Sequence, residues 1–275
     1  MGDMENTEET PEDQPAALIS PFSTNVKFPL DLPGGYLDAS GVLHKAITLR
    51  PTTGVEEDIL VDDGRTEVNK MRDVLANCLV KLGPYDVATA KVGDVYKVLD
   101  GMFATDRAFA QIVLRCISVP EGDKIRFTQH CLQKMCGKDW NNVLDLSTFP
   151  VKPIVEAKAE YDFVLPQSGD KVKFRLLHAS DDQLISELQT RYPTQLVSAI
   201  MWLHMVSING KKVPAPRDLQ KMSSFDRASL RKVMEQANGG VDLSYSAQCP
   251  KCRNVVPGAL RLDSSFFLLS SGSPD

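Results

Sequence analysis

Two kinds of apolar pattern alternate along the chain and predict a fold that mixes strands and helices. Apolar and polar residues alternate around Gly-containing turns at 28–35 and 163–170, which is typical of β-hairpins. Stretches with apolar residues at helical spacing follow both hairpins, at 67–83 and at 183–210 with a break at Pro193. We expect the first helical stretch to end at Gly83 and to bury one face. That face consists of Met71, Val74, Leu75, Cys78 and Leu79.

The same order of patterns occurs twice, and this predicts an internal duplication. The segment ITLRPTTGVEEDIL (47–60) aligns with VKFRLLHASDDQLI (172–185). The best match aligns VLDGMFATDRAFAQIVLRCIS (98–118) with DLQKMSSFDRASLRKVMEQAN (218–238), at a constant offset of 120 residues. Such self-similarity predicts two halves with similar structures.

An Asp-Arg pair opens the matched helix in both copies, as Asp106-Arg107 and Asp226-Arg227. A repeated acid and base resembles a catalytic pair, but a structural role explains it better. An acid in the first helical turn is favoured by the helix dipole, and the arginine can bind a neighbouring carboxylate. A Ser or Thr just ahead of each pair is expected to cap the helix N-terminus.

Other candidate side chains are also interpreted as structural. Arg50 and Arg175 match across the copies beside acid-rich turns, and we predict structural ion pairs or exposed strand ends there. Cys78 and Cys116 lie on apolar helix faces and are expected in the core. The chain contains no phosphate-binding loop, dinucleotide fingerprint or nucleophile elbow. We therefore expect a protein that is not an enzyme.

Each half ends in a strand, a cysteine pair and a second strand. GDKIRFTQHCLQKMC (122–136) matches GVDLSYSAQCPKC (240–252), and both strands alternate apolar and polar residues. The segments NNVLDLSTF (141–149) and GALRLDSSFF (258–267) are the predicted returning strands. A tight turn that carries two cysteines between two strands is a zinc knuckle, and two knuckles provide the four ligands of a structural zinc ribbon.

The predicted zinc ligands are Cys131, Cys136, Cys249 and Cys252. A zinc ion bound by all four would cross-link the two halves and add directly to the free energy of folding. Two residues separate the second pair and four separate the first. Two alternatives stay open: the first pair can be ordinary buried thiols, or His130 can replace Cys131. No HExxH pattern is present, so we expect structural rather than catalytic zinc.

These boundaries predict an α+β chain in which each half contains a β-hairpin, helices and a zinc-knuckle hairpin. The predicted units are an acidic disordered tail (1–24), a first repeat (25–150), a second repeat (151–270) and a flexible C-terminus (271–275). The tail is assigned because the first 20 residues carry six acids and no Lys or Arg.

The composition agrees with this predicted fold and argues against a membrane-spanning or secreted protein. With 43% hydrophobic and 24% charged residues, the 275-residue chain has an ordinary globular composition. No apolar run reaches the roughly 18–20 residues of a membrane span, and the acidic N-terminus is unlike a signal peptide. We expect a reducing cytosol, where cysteines bind metals or lie buried rather than form disulfides.

Several basic residues cluster around the predicted knuckles, and zinc ribbons often bind nucleic acid. They are Lys134, Lys138, Lys251, Arg253 and Arg261. The net charge of the whole chain is −5, and few aromatic residues lie among the basic ones. We therefore expect solvated charge beside a structural zinc, and a nucleic-acid partner is the weaker alternative.

Four motifs together resemble the baseplate hub assembly proteins of T-even-type tailed phages. They are FRLL followed by Asp181-Asp182, the helix that opens with Asp-Arg, the knuckle strand GVDLSYSAQCPKC, and LDSSFF at 262–267. The resemblance covers residues 25–268, and the chain departs from the family at the C-x4-C spacing of the first knuckle. It implies a non-enzymatic assembly chaperone that acts on hub proteins of the tail baseplate, in the cytoplasm of the bacterial host.

The apolar end of the chain is a candidate contact for such a partner. Phe266, Phe267, Leu268 and Leu269 are adjacent, so some of them must face outward if the chain is extended. The alternative is that this segment is the last strand of the core. Two other functions stay open: a permanent structural subunit of the baseplate, and a zinc-ribbon protein that binds nucleic acid.

Overall fold

Helices and short antiparallel strands alternate along the computed structural model, which describes residues 26–268. The fold mixes α and β structure, as predicted, and its strands form small antiparallel sheets of two to four strands. Within the described residues, none of the helices has the length and apolar character needed to cross a membrane. The predicted tails at 1–24 and 271–275 lie outside the described residues.

The described chain begins with a four-stranded antiparallel sheet packed against helices. Its strands are β1 (Phe28–Leu37), β2 (Leu43–Leu49), β3 (Leu79–Leu82) and β4 (Tyr85–Asp86). The helices are α1 (Gly54–Val61), α2 (Glu67–Cys78), α3 (Val92–Gly101) and α4 (Ala104–Ser118). The chain continues through β5 (Lys124–His130), β6 (Asp139–Asp145), a 3₁₀ turn (Leu146–Thr148) and β7 (Val151–Lys152).

A second group of elements runs in a similar order but has a smaller sheet. Its three strands are β8 (Tyr161–Val164), β9 (Lys171–Phe174) and β10 (Met205–Ile208). Its helices are α5 (Asp181–Arg191), α6 (Leu196–His204), a 3₁₀ helix (Pro216–Lys221) and α7 (Ser224–Ala237). The last elements are β11 (Gly240–Val241), β12 (Ser244–Gln248), β13 (Val255–Ala259) and α8 (Ser264–Phe267).

Each group of elements buries an apolar cluster of its own. The larger cluster lies among the first sheet and helices α2, α3 and α4, and it also contains Phe266 and Phe267 of α8. The smaller cluster lies among β9, α6 and α7, with Phe174 fully buried. A third cluster, made of Phe103, Ile154 and Leu176, contains residues from both groups. The apolar core is therefore divided between the two groups and bridged where they meet.

Hydrogen bonds also connect the two groups, next to the start of α4. The Ala104 N–H donates to the Leu177 carbonyl (2.9 Å), and the Ala179 N–H donates to the Met102 carbonyl (2.8 Å). The Phe103 ring stacks on the ring of His178 at the same contact, with centroids 5.4 Å apart. Backbone bonds and ring packing thus hold the two groups together.

The first hairpin does not turn where its glycines predict. Strand β1 continues through Gly34 and Gly35 to Leu37, and the chain reverses only at 38–42. The two glycine amides instead donate to the carboxylate of Asp106, at 2.7 and 2.6 Å. A side chain distant in sequence therefore satisfies the backbone at the predicted turn.

The first helical stretch ends at Cys78 rather than at the predicted Gly83. Leu79–Leu82 form β3 because they pair with β2 on one side and with β4 on the other. The second helical stretch behaves alike, since β10 follows α6 directly and pairs with β9. The predicted buried face is confirmed: Met71, Val74, Leu75, Cys78 and Leu79 are all buried.

The apolar C-terminal segment forms a helical turn rather than an extended strand. The returning strand β13 comes earlier than predicted, and α8 packs against α1 and α2. Phe266 and Phe267 are buried, so the segment belongs to the core, as in the alternative interpretation, but as a helical turn and not as a strand. A partner could reach these rings only if α8 left the core. Leu268 is half-buried against the same cluster, and Leu269 lies outside the described residues.

The predicted N-cap is present in one of the two Asp-Arg helices. In α7 the Ser223 hydroxyl accepts from the Asp226 N–H at 3.1 Å, as an N-cap should. In α4 the residue at the same place is Phe103, which has no side-chain acceptor, so the prediction is wrong there.

Candidate metal centre

The first cysteine pair lies at the tip of the hairpin made by β5 and β6. The Cys131 N–H donates to the Lys138 carbonyl (3.0 Å), and the Cys136 N–H donates to the Gln133 carbonyl (2.9 Å). These bonds fold the four-residue spacer into a compact turn. Gly137 follows with a φ of 52°, a left-handed conformation that glycine adopts without strain. The local backbone therefore accommodates the unusual spacing of this pair.

The second cysteine pair lies at the tip of the hairpin made by β12 and β13. The Cys249 N–H donates to the Asn254 carbonyl and the Arg253 N–H donates to the Cys249 carbonyl, both at 2.9 Å. Arg253 has a φ of 61°, which lets the chain reverse directly after Cys252. This pair thus forms a tight knuckle turn, as its C-x2-C spacing predicts.

The four sulfur atoms form one cluster and all lie within 4.8 Å of one another. Cys131 Sγ is 3.5 Å from Cys252 Sγ, and Cys136 Sγ is 3.8 Å from Cys249 Sγ. These distances are too long for disulfides, whose sulfur atoms are about 2.05 Å apart. A tetrahedral site with Zn–S bonds of about 2.3 Å separates its sulfur atoms by roughly 3.8 Å. The cluster therefore has the dimensions of a metal site with four cysteine ligands.

Each short sulfur contact joins the first hairpin to the second. Cys131 and Cys249 are buried, Cys136 is half-buried and Cys252 is exposed. Four thiolates are the donor set that zinc and other thiophilic metals prefer. A metal ion bound here would link two hairpins that are distant in sequence, and it would have no ligand position left open to water.

Backbone amides and neighbouring thiols move the cysteine pKa values apart. Hydrogen bonding by the Cys252 amide is the main reason that the pKa of Cys249 falls to about 7. The Gln133 amide acts in the same direction on Cys131, but burial and the other thiols raise its pKa to about 12. Hydrogen bonds favour a thiolate, whereas like charges close by disfavour it. A bound cation would provide the charge that lets all four sulfurs ionise.

His130 is not part of the sulfur cluster. Its Nδ1 lies 2.6 Å from Oδ1 of Asp139, the residue directly opposite it in the β5-β6 pairing. The side chain is 62% exposed. In this structure Cys131 contributes to the cluster, so the alternative in which His130 replaces it does not hold.

Two aromatic rings connect the hairpins near the sulfur cluster. Phe127 and Tyr245 each precede the first cysteine of a pair by four residues, and their rings meet edge to face with centroids 5.6 Å apart. The Tyr245 hydroxyl donates to Gln129 Oε1 at 3.4 Å. Tyr245 also covers Gly258 on the paired strand, where an added Cβ would lie 2.3 Å from the ring. Alternation predicts inward-facing rings in each hairpin but not that the two rings meet.

The turn of the first knuckle exposes two apolar side chains that sequence analysis did not identify. Met135 is 92% exposed and Leu132 is 71% exposed. Their position between two metal-site cysteines is the signal that could have found them, because so tight a turn cannot bury its own spacer. The basic residues predicted to be solvated are exposed, and they are Lys134, Lys138, Lys251, Arg253 and Arg261.

The two aspartates of the Asp-Arg pairs act as backbone acceptors, and the predicted structural role is confirmed. Asp106 accepts from the glycine amides of β1, and Asp226 accepts from the amides of Gln167 (2.8 Å) and Ser168 (3.2 Å). Both carboxylates are buried. Each carboxylate therefore holds a hairpin against its helix.

The arginines of these pairs differ from each other. Arg107 forms an ion pair with Asp182 of α5, as predicted for an arginine beside a carboxylate. Arg227 instead donates to the Leu219 carbonyl at 2.8 Å and to the Ser198 hydroxyl at 3.0 Å. Both arginines tie α4 or α7 to neighbouring elements.

Arg50 and Arg175 form the predicted ion pairs. Arg50 donates twice to Glu56, at 2.9 and 3.1 Å, and Arg175 donates twice to Asp181, at 2.6 and 2.8 Å. Glu56 is fully buried, and its pKa lies below the usual value because hydrogen bonds from Arg50 and Thr53 outweigh the effect of burial, which would raise it.

The two remaining cysteines differ in their surroundings. Cys78 is fully buried, as predicted, and burial raises its pKa to about 12. Cys116 is exposed, so its predicted place in the core is wrong. It follows the buried Leu114 by two residues, which puts it on the opposite side of α4.

Comparison of the chain with protein-family models, with curated proteins and with solved structures gives no match. Its function is therefore inferred from its own motifs, fold and site.

Proposed function

We propose that the chain is an assembly chaperone for the baseplate hub of a contractile phage tail or a related injection apparatus. The observation that carries the proposal is the sulfur cluster, which joins two hairpins at a tip where Met135 and Leu132 are exposed. A closed four-thiolate site serves structure rather than catalysis. Apolar side chains that project from a rigid tip suit contact with another protein. The sequence resemblance supplies the class of partner, a hub protein of the baseplate.

The proposal includes an internal duplication, and recurring ion pairs support it. Arg50–Glu56 and Arg175–Asp181 are related by the same offset of 125 residues at both positions. In addition, the Arg50 N–H donates to the last carbonyl of α2 (2.9 Å), and the Arg175 N–H donates to the last carbonyl of α6 (2.8 Å). A charge pair and a backbone bond that recur together are what two copies of one module would produce.

The buried aspartates support the duplication independently. Asp106 and Asp226 are 120 residues apart, and each accepts from two successive amides. Those amides follow a Leu-Pro pair in both cases, at 32–33 and at 165–166. The same acceptor thus holds the same part of the hairpin in both proposed repeats.

We propose zinc as the metal, and native mass spectrometry of the full chain tests this. We expect one zinc ion per chain, bound by the four cysteines, and its loss in Cys131→Ser. Cys116→Ser is the matched control and should retain zinc, because Cys116 is exposed and lies outside the cluster. Zinc retained in Cys131→Ser would contradict a ribbon built from both hairpins.

Co-expression with the hub proteins encoded by neighbouring tail genes tests the chaperone function. We expect a hub protein to stay soluble and to elute with the chain, and both effects to be lost when Met135 and Leu132 are replaced by Glu. Val61→Glu is the control, since Val61 is 59% exposed but lies on α1. Purified particles should lack the chain, and a stoichiometric copy number there would indicate a permanent subunit instead.

The exposed basic residues around the sulfur cluster favour nucleic-acid binding as a second candidate. Such binding would weaken steeply as salt rises, because phosphate contacts release counterions. It would also be lost when Lys251 and Arg253 are both replaced by Gln. Binding to DNA or RNA with these two properties would favour the second function over the chaperone.

A further inference from the structure

The chain fills a groove on its first half with its own C-terminal turn. Helix α8 packs against α1 and α2, and the guanidinium of Arg115 on α4 lies 5.2 Å from the centroid of the Phe266 ring. The Ser264 N–H donates to the carboxylate of Glu67 at the start of α2 (2.8 Å). Two adjacent phenyl rings on one helical turn thus cover the surface between α2 and α4.

The corresponding surface of the second half lies between α6 and α7 and is an open groove. It has a volume of about 350 Å³ and is lined by apolar side chains that include Val197, Ile200, Met201 and Met234. Val197 and Met71 occupy corresponding positions, because Val197 precedes β10 by as many residues as Met71 precedes β3. Val197 is 54% exposed, whereas Met71 is 4% exposed. The second half therefore leaves the surface between α6 and α7 exposed, whereas α8 covers the corresponding surface between α2 and α4 in the first half.

The polar edge of the groove also differs between the halves. Arg115 donates to the Phe266 carbonyl in the first half. The residue 120 positions later is Glu235, which is exposed and lines the open groove together with Arg231, one turn earlier on the same helix. A helical turn bound in the second groove would need a cation or a hydrogen-bond donor facing Glu235, at the place where α8 has the Phe266 carbonyl facing Arg115.

We infer that the groove between α6 and α7 binds a partner protein through a helical turn with two adjacent aromatic side chains and a neighbouring basic residue that pairs with Glu235. This inference rests on the duplication in the proposed function and assigns the partner a second contact surface. The α8 of another copy is a poor occupant because its rings are buried in its own core. The first 20 residues of the chain carry no Lys or Arg to pair with Glu235.

A labelled synthetic peptide tests the groove on the full-length, metal-bound chain. The peptide LRLKSSFFL corresponds to residues 260–268 with Asp263→Lys and presents two phenyl rings beside a basic residue. We expect saturable binding by fluorescence anisotropy, and at least about tenfold weaker binding to Val197→Arg, since a buried unpaired charge costs more than 1.4 kcal/mol. Val55→Arg is the matched control, because Val55 is 61% exposed but lies on α1.

A charge exchange tests the role of Glu235 separately. Glu235→Arg should weaken binding of the Lys peptide and strengthen binding of the unchanged LRLDSSFFL peptide. Equal affinities of Val197→Arg and the parent chain would overturn the assignment, as would the absence of saturable binding. A dimer of the chain that disappears in Val197→Arg would assign the groove to a second copy and would also overturn it.

Failure of the groove assignment can be distinguished from failure of the chaperone proposal. Met135→Glu combined with Leu132→Glu should abolish hub binding but leave peptide binding unchanged. Loss of peptide binding in Val197→Arg together with full hub binding by that variant would separate the groove from the hub contact. In that case the chaperone proposal would stand, and the assignment of the groove to the hub partner would be overturned.

Discussion

At the scale of single residues, Asp106 and Asp226 occupy matched positions but respond to their surroundings in opposite ways. Burial raises the pKa of Asp106 to about 6, although the two glycine amides that it accepts from lower it. Burial acts on Asp226 in the same direction, but hydrogen bonds from the Gln167 amide and from Ser168 and Ser223 outweigh it. The pKa of Asp226 therefore lies below its usual value. The side chains of Ser168 and of the N-cap Ser223 lower the pKa of Asp226, whereas only the two glycine amides and the charge of Lys45 lower that of Asp106.

This difference predicts opposite pH dependences of stability for the two aspartates. The folded state favours protonated Asp106, so its contribution is complete below its unfolded pKa of 3.8 and is lost as pH rises through about 6. We expect a pH increase from about 4 to about 7 to reduce the free energy of unfolding of the parent by roughly 2 kcal/mol relative to Asp106→Asn. Urea unfolding at the two pH values measures this difference.

The matched variant Asp226→Asn provides the control for that experiment. The folded pKa of Asp226 is lowered, so its contribution is present above its unfolded pKa and is lost as the pH falls through the folded pKa. The parent should therefore lose stability relative to Asp226→Asn on acidification. Identical pH slopes for the parent and Asp106→Asn would contradict the raised pKa of Asp106.

Residue types with a local signature were predictable from the sequence. The metal-site cysteines are an example, because a knuckle is formed by a few adjacent residues between two strands. The exposure of Cys116 was not predictable, because apolar neighbours on a helix do not show how much of that helix the core covers. The helical turn that buries Phe266 was not predictable either, since it packs against helices that precede it by more than 100 residues. Solvent exposure at the ends of elements is decided by distant partners.

At the scale of elements, β3 shows where pattern and structure separate. Leu79 continues the apolar face of α2, so periodicity favours helix through this region. The segment becomes a strand because β2 offers backbone groups to pair with, and tertiary pairing overrides local preference. The same change from helix to strand after α6 shows that it is a property of the arrangement and not of one sequence.

The hairpin that carries the second cysteine pair depends on one small residue. Gly258 faces the Tyr245 ring across the strand pair, so Gly258→Val should displace the ring and weaken the contact between the two hairpins. Overpacking of this kind costs about 1–3 kcal/mol. We expect faster release of the proposed zinc to a chelator, followed with a colorimetric zinc indicator.

Ala259→Val is the control for this change. Ala259 is the next residue of the same strand and is exposed, so the added methyl groups enter solvent. Its zinc release should match that of the parent. An equal rate in Gly258→Val would show that the Tyr245 contact does not support the metal centre.

At the scale of the whole molecule, the sulfur cluster adds to other connections between the two groups of elements. The groups also touch at the start of α4, at the pairing of β11 with β7, and where α8 packs against α1 and α2. These connections are spread along the sequence, so together they restrict how the groups can move. Removing the proposed zinc should lower the unfolding temperature, because the metal stabilises only the folded chain. We expect a shift of several degrees at least, corresponding to about 2 kcal/mol or more.

Differential scanning calorimetry with and without a chelator measures that shift. Cys249→Ser should unfold at the lower temperature under both conditions, since it lacks a ligand from the buried part of the cluster. Added zinc should restore the parent but not this variant. An unfolding temperature of the parent that does not respond to the chelator would contradict a structural metal.

The long separation between the two cysteine pairs has a consequence for the timing of synthesis. A ribosome adds about 5–20 residues per second, so Cys249 is made roughly 6–23 s after Cys136, from which it is 113 residues distant. During that interval the first knuckle is an open dithiol with no partner, available to oxidants. The four-cysteine cluster can form only after Cys252 has been translated. A chain that ends earlier lacks the connection between the two hairpins.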